Sequence, residues 1–146
     1  MLKVSELIPV LQVAIGPVIL ISGVGLLLLT MTNRFGRVID RARILAGMLH
    51  EPGLVDPEPI LAQINIMSCR ARLLRVAIIL GSLSVLLAAI LVIVLFLTAL
   101  LRLEAAWLIG ALFIGCMAAL IYSLVEFIRD LNYSLLALQL ELGEKK

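Results

Sequence analysis

Three long windows of this 146-residue chain carry no charged side chain: residues 7–33, 76–101 and 105–125. A helix crosses a hydrocarbon core of about 30 Å with roughly 20 apolar residues, so each window is long enough to span a bilayer. Transmembrane β-strands would need only about 10 residues and would alternate polar with apolar. Residues 85–97, VLLAAILVIVLFL, show no alternation. Composition points the same way: 63% of residues are hydrophobic, 15% are charged, and the mean hydropathy is +1.19. A soluble domain has about 45–50% apolar and about 25% charged residues. So few charges could not cover a soluble fold of this size and do not describe a disordered chain. Two cysteines make no disulfide framework. The expected fold class is an all-α membrane protein with three transmembrane helices.

The first window is expected to be a retained helix. Its apolar stretch is too long for a signal peptide, Lys3 is offset by Glu6, and arginines follow at once rather than a cleavage site. Seven arginines lie between the first two windows, against Lys3 before the first and Arg102 between the second and third. The positive-inside rule then puts the long loop in the cytoplasm, with the N-terminus and the Arg102–Glu104 turn outside and the C-terminus inside. Trp107 falls near the outer end of the third span as an interfacial anchor. Cys69, in the cytoplasm, and Cys116, within the third span, are expected to stay reduced.

Residues 1–146 thus read as a single membrane domain, with a cytoplasmic helical hairpin over 34–75 and a cytoplasmic C-terminal helix over 126–142. Residues 34–50 contain no proline and continue the first helix, up to turn signals at Glu51-Pro52-Gly53 and Asp56-Pro57. From Pro59 apolar residues recur at roughly helical spacing into Arg70. After residue 125, Leu131, Leu135, Leu138 and Leu142 form a short coiled-coil-like seam. It is suited to packing on the hairpin or on a neighbouring subunit.

Catalytic chemistry is poorly represented. The one histidine, His50, lies in the loop turn, and no HExxH, CxxC or glycine-rich phosphate loop occurs. His50 with Glu51, Asp56 and Glu58 resembles a solvated turn more than a metal site. No enzyme activity, cofactor, metal or nucleic-acid partner is expected.

Three places are singled out by chemistry. The charge cluster comprises Arg34, Arg37, Asp40, Arg41, Arg43, Arg70, Arg72 and Arg75. Within it Asp40 lies three residues from both Arg37 and Arg43 and is expected to matter for stability, buried against another helix. Second, at 100° per residue Arg34, Arg37 and Arg41 share a face that extends upward through Thr30, Gly23, Ile19, Gly16 and Gln12. That stripe is either a close-packing seam opened by its glycines or the lining of a pore. Pro17 should weaken the helix there. Third, a hairpin centred on Leu103 makes the numbers of residues at equal depth sum to about 206. Glu126 then lies roughly 6–8 Å deeper than Arg75, at about 1.5 Å per residue. A carboxylate at such depth is costly unless paired or hydrated. Ser82, Ser84 and Arg34 are its expected neighbours, in an ion pair or in an ion- or proton-coordinating site.

The run RFGRVIDRARIL is entered from IGPVILISGVGLLLLTMTNR and followed by CRARLLRVAI and the ending LVEFIRD. Nearly the whole chain thereby resembles a bacterial family of small integral membrane proteins, domain-of-unknown-function family 2721. Its most specific element runs from Asn33-Arg34 through Arg37, Asp40, Arg41 and Arg43. The resemblance implies a three-span bacterial inner-membrane protein and carries no activity. The functional expectation is a homo-oligomeric channel-like or transport-related protein, because three helices alone are too few to enclose a water path. The alternative is a non-conducting accessory, scaffold or sensory protein whose arginine-rich hairpin binds anionic lipid headgroups or a partner protein.

Overall fold

The structure, a computed structural model, describes residues 4–49, 57–101 and 104–143, with side chains described over 8–49, 57–101 and 104–135. Among the described residues its elements are three helices, α1 (Val4–Met48), α2 (Glu58–Leu101) and α3 (Ala106–Gly143). All three are long and apolar enough to cross a membrane, over Ile8–Met48, Glu58–Leu101 and Ala106–Leu135. At a rise of about 1.5 Å per residue, α1 is about 68 Å long, more than twice a hydrocarbon core. Uncharged sequence ends at Asn33, yet α1 continues through the arginine run, which contains no proline. It is also continuous through Pro9 and Pro17. The turn signals of residues 51–53 lie outside the described residues.

Helix starts follow local chemistry. The Pro57 carbonyl accepts from the Leu61 amide at 3.1 Å, and Pro59 sits in the first turn of α2, where its missing N–H is no loss. Glu58 places negative charge at the positive end of the helix. The Ala105 carbonyl opens α3 by accepting from Leu108 at 3.1 Å and Ile109 at 3.2 Å. The expected C-terminal helix is the uninterrupted continuation of α3. Leu135 in its leucine seam is exposed, and the side chains of Leu138 and Leu142 lie outside those described.

The chain forms two compact units, each drawing on all three helices. The first comprises Met1–Leu28 with Ile79–Tyr122, the second Leu29–Ile78 with Ser123–Lys146. In the first, α1 turns Ala14, Pro17, Ile21, Val24 and Leu28 inward at alternating spacings of three and four. Gly81, Ser84, Ala88 and Leu91 do so on α2, and Cys116 and Ala119 on α3. In the second unit, α1 supplies Met31, Phe35, Val38, Ala42 and Leu45, and α2 supplies Arg70, Leu74 and Ala77. Ser123 and Asp130 come from α3. This 3.5-residue period keeps one seam of each helix toward its neighbours.

The seams of α2 and α3 are built of small residues, which let backbones approach and hydrogen bonds form across them. In the first unit Ser84 Oγ donates to the Cys116 carbonyl at 3.0 Å, and Cys116 Sγ donates back to the Ser84 carbonyl at 3.3 Å. In the second, Ser123 Oγ donates to the Ala77 carbonyl at 2.7 Å. These bonds set the register. In both pairs, and in the Arg70–Asp130 ion pair, the residue numbers add to 200, not 206. A symmetric turn does not decide the pairing; the positions where small and hydrogen-bonding side chains meet do. In this register Ala106 lies level with Val94, so α2 extends about 10 Å past the start of α3.

Candidate functional site

The second unit holds the most concentrated charge in the described chain. Asp130 projects from α3 and is fully buried. Arg70 of α2 donates from Nε to Asp130 Oδ1 at 3.2 Å, while Nη2 of Arg34, on α1, lies 3.3 Å from Oδ2. The two arginine side chains are 13% and 23% exposed, respectively. Oδ2 is within ion-pair reach of Arg34 but outside hydrogen-bond geometry, so among the described residues it accepts no hydrogen bond. The Arg34 guanidinium also lies over the Phe127 ring, 5.6 Å from its centroid, where the ring's negative face favours a cation. One carboxylate shared by two guanidiniums leaves one positive charge uncompensated.

A cavity of about 320 Å³ adjoins this triad, lined by Arg34, Arg37, Arg41 and Arg70 together with Ser134. Spacings of three and four residues put the first three on one side of α1. Arg70 and Ser134 bring in α2 and α3. Arg37 and Arg41 are exposed, and neither makes an ion pair among the described residues.

Of the charge cluster expected from sequence, Arg34 and Arg70 thus meet on Asp130, and Arg37 and Arg41 join them at the cavity. Arg43, Arg72 and Arg75 are exposed and line no part of it. Asp40 departs from expectation: it is exposed and makes no ion pair among the described residues. The buried acid is Asp130 instead. Its signal in the sequence was its phase, seven residues beyond Ser123 and fourteen beyond Cys116 on the seam of α3.

Glu126 departs too. Its Oε1 accepts from Nη1 of Arg129, one turn along the same helix, at 2.7 Å. None of Ser82, Ser84 and Arg34 pairs with it: Ser84 is bonded to Cys116 and Arg34 faces Asp130. With facing numbers adding to 200, Glu126 lies level with Leu74, one residue from Arg75, so the expected depth difference shrinks to about 1.5 Å.

The stripe of Gln12, Gly16, Ile19, Gly23 and Thr30 lies on the exposed face of α1. A Cβ added at Gly16 or Gly23 would meet nothing within 4 Å. The stripe is therefore not a packing seam among this chain's own helices. The inward seam begins at Ala14, two residues and about 200° round the helix from Gly16. His50, Glu51 and Asp56, weighed with Glu58 as a metal set, lie outside the described residues.

No curated protein and no solved structure matches the chain. A family model described as "Protein of unknown function (DUF2721)" matches residues 14–140. That match takes in Asp130, both arginines that hold it and the whole cavity lining, and by it the chain belongs to this family.

Proposed function

We propose that this chain is a non-enzymatic, multi-pass inner-membrane protein that binds an anionic phosphate group at its cytoplasmic, arginine-lined cavity. It acts as an accessory or sensory component rather than a catalyst. One observation carries this reading: four guanidiniums line one cavity, and among the described residues a single carboxylate holds only two of them. Guanidinium forks match the oxygens of phosphate in paired, charge-assisted hydrogen bonds. Basic pockets between membrane helices on the cytoplasmic side are suited to lipid headgroups. Arg34 directly follows an uncharged window, which supports a position at headgroup level, and the arginine excess of residues 34–75 supports a cytoplasmic location.

The test is thermal unfolding of the purified full chain in micelles with added phosphatidylglycerol or phosphatidylcholine. The anionic lipid should raise the melting temperature and the zwitterionic lipid should not, with the difference abolished in the Arg37→Gln/Arg41→Gln variant. Equal responses to both lipids would dismiss the reading.

A homo-oligomeric channel-like or transport-related role is the second reading. Its support is the outward face of α1, where polar Gln12 and two open glycines interrupt an apolar span. A second copy laid against that face would enclose what one chain leaves open. Ion flux into liposomes carrying the purified protein tests it, and tight vesicles containing folded oligomer would exclude it.

A further inference from the structure

We infer that the cavity takes a dianionic phosphomonoester in preference to a phosphodiester. This rests on the anion-site reading and names its ligand class.

Charge is the first ground. Asp130 offsets one of the two guanidiniums it touches, and Arg37 and Arg41 make no ion pair among the described residues. Glu126 is committed to Arg129, and Asp40 is exposed and lines no part of the cavity. Among the described residues, three positive charges therefore face the cavity without a carboxylate of their own. A phosphodiester brings one negative charge, whereas a monoester carries about 1.5 to 2 at pH 7.

Oxygen count is the second. A monoester presents three terminal oxygens and a diester two. Arg37 and Arg41 lie one turn apart, with Cβ atoms about 5–6 Å from each other, while Arg70 approaches from another helix. Three oxygens can serve forks arriving from both helices and leave an edge for the Ser134 hydroxyl. Asp130 adds preorganisation: it holds Arg34 and Arg70 in place before any ligand arrives, which lowers the ordering cost of binding. Val38 and Met67 complete the lining with apolar surface that suits the carbon side of an ester.

A phosphomonoester can come from a lipid or from a soluble metabolite, and the test separates them. The full chain in micelles is titrated with dioleoyl phosphatidate, dioleoyl phosphatidylglycerol and glycerol 3-phosphate, with affinity read from thermal shift and native mass spectrometry. Phosphatidate should bind at least about tenfold more tightly than phosphatidylglycerol, the worth of one further charge-assisted hydrogen bond. Arg37→Gln/Arg41→Gln should abolish the preference, with phosphatidate binding no tighter than phosphatidylglycerol in the same variant, without moving the ligand-free melting temperature, since both side chains are exposed. Glycerol 3-phosphate binding as tightly as phosphatidate would make the ligand a soluble monoester, and much weaker binding would make it a lipid. Equal affinity for both lipids, lost in the double variant, would overturn the monoester preference and leave the anion site standing. No binding by any probe, or a variant that responds like wild type, would overturn both.

Discussion

At the scale of single residues, Asp130 is the side chain on which the charged unit depends. Removing one member of a buried ion pair leaves the other charge uncompensated, which costs about 3–5 kcal/mol. Asp130→Asn keeps the shape and removes the charge, so chemical unfolding in micelles should show a loss of that order. Arg70→Gln in the same chain should restore part of it. Asp40→Ala should stay within about 0.5 kcal/mol of wild type, as surface substitutions do, because Asp40 is exposed and unpaired among the described residues. The contrast shows how legible the site was. Four cavity arginines stand out in the sequence as a charge pattern, but proximity in number pointed to Asp40 as their acid. The acid that meets two of them comes from α3, and no local spacing reveals a contact across sixty residues.

Among elements, the seam between α2 and α3 and the outer face of α1 should behave oppositely under enlargement. Ala77 is fully buried and its carbonyl accepts from Ser123. Ala77→Leu forces that seam apart and should cost about 1–3 kcal/mol. Ser84→Ala removes one interhelical hydrogen bond, worth about 0.6 kcal/mol. Gly23 has open space around it, so Gly23→Leu should leave the melting of a single chain unchanged. Loss of a larger species on crosslinking in Gly23→Leu would identify this face as an interface between copies. Water access is a separate matter. In a Cys69→Ser background, cysteines at Gln12, Gly16, Ile19, Gly23 and Thr30 should react with hydrophilic thiol reagents in intact membranes if the face lines a water path. Uniform silence in folded oligomer would remove it as a lining. The sequence displayed the stripe through its glycines, yet the seam used for packing is marked by a 3.5-residue repeat of apolar and small side chains. In chain segments where nearly every residue is apolar, that repeat has little contrast.

For the whole molecule, cysteine labelling in cells should find Met1 and Leu103 on the outer side and Pro52 and Lys146 on the inner side; a cytoplasmic Leu103 would reverse the arginine argument. An all-helical fold with three helices long and apolar enough to cross a membrane was legible in the sequence itself. Charge-free runs longer than a bilayer is thick admit few other structures, because every backbone polar group there must be bonded within its own segment. Family membership was likewise legible, from the arginine run and its flanks. The tertiary structure alone decided the α2–α3 register, the burial of Asp130 and its capture of two arginines, the exposure of Asp40 and of the glycine stripe, and the pairing of Glu126 with Arg129. Spanning follows from the transfer energy of each segment taken by itself, which a linear sequence contains. Register and ion pairing follow from which small and polar side chains on different helices can meet, and that is a property of the packed chain.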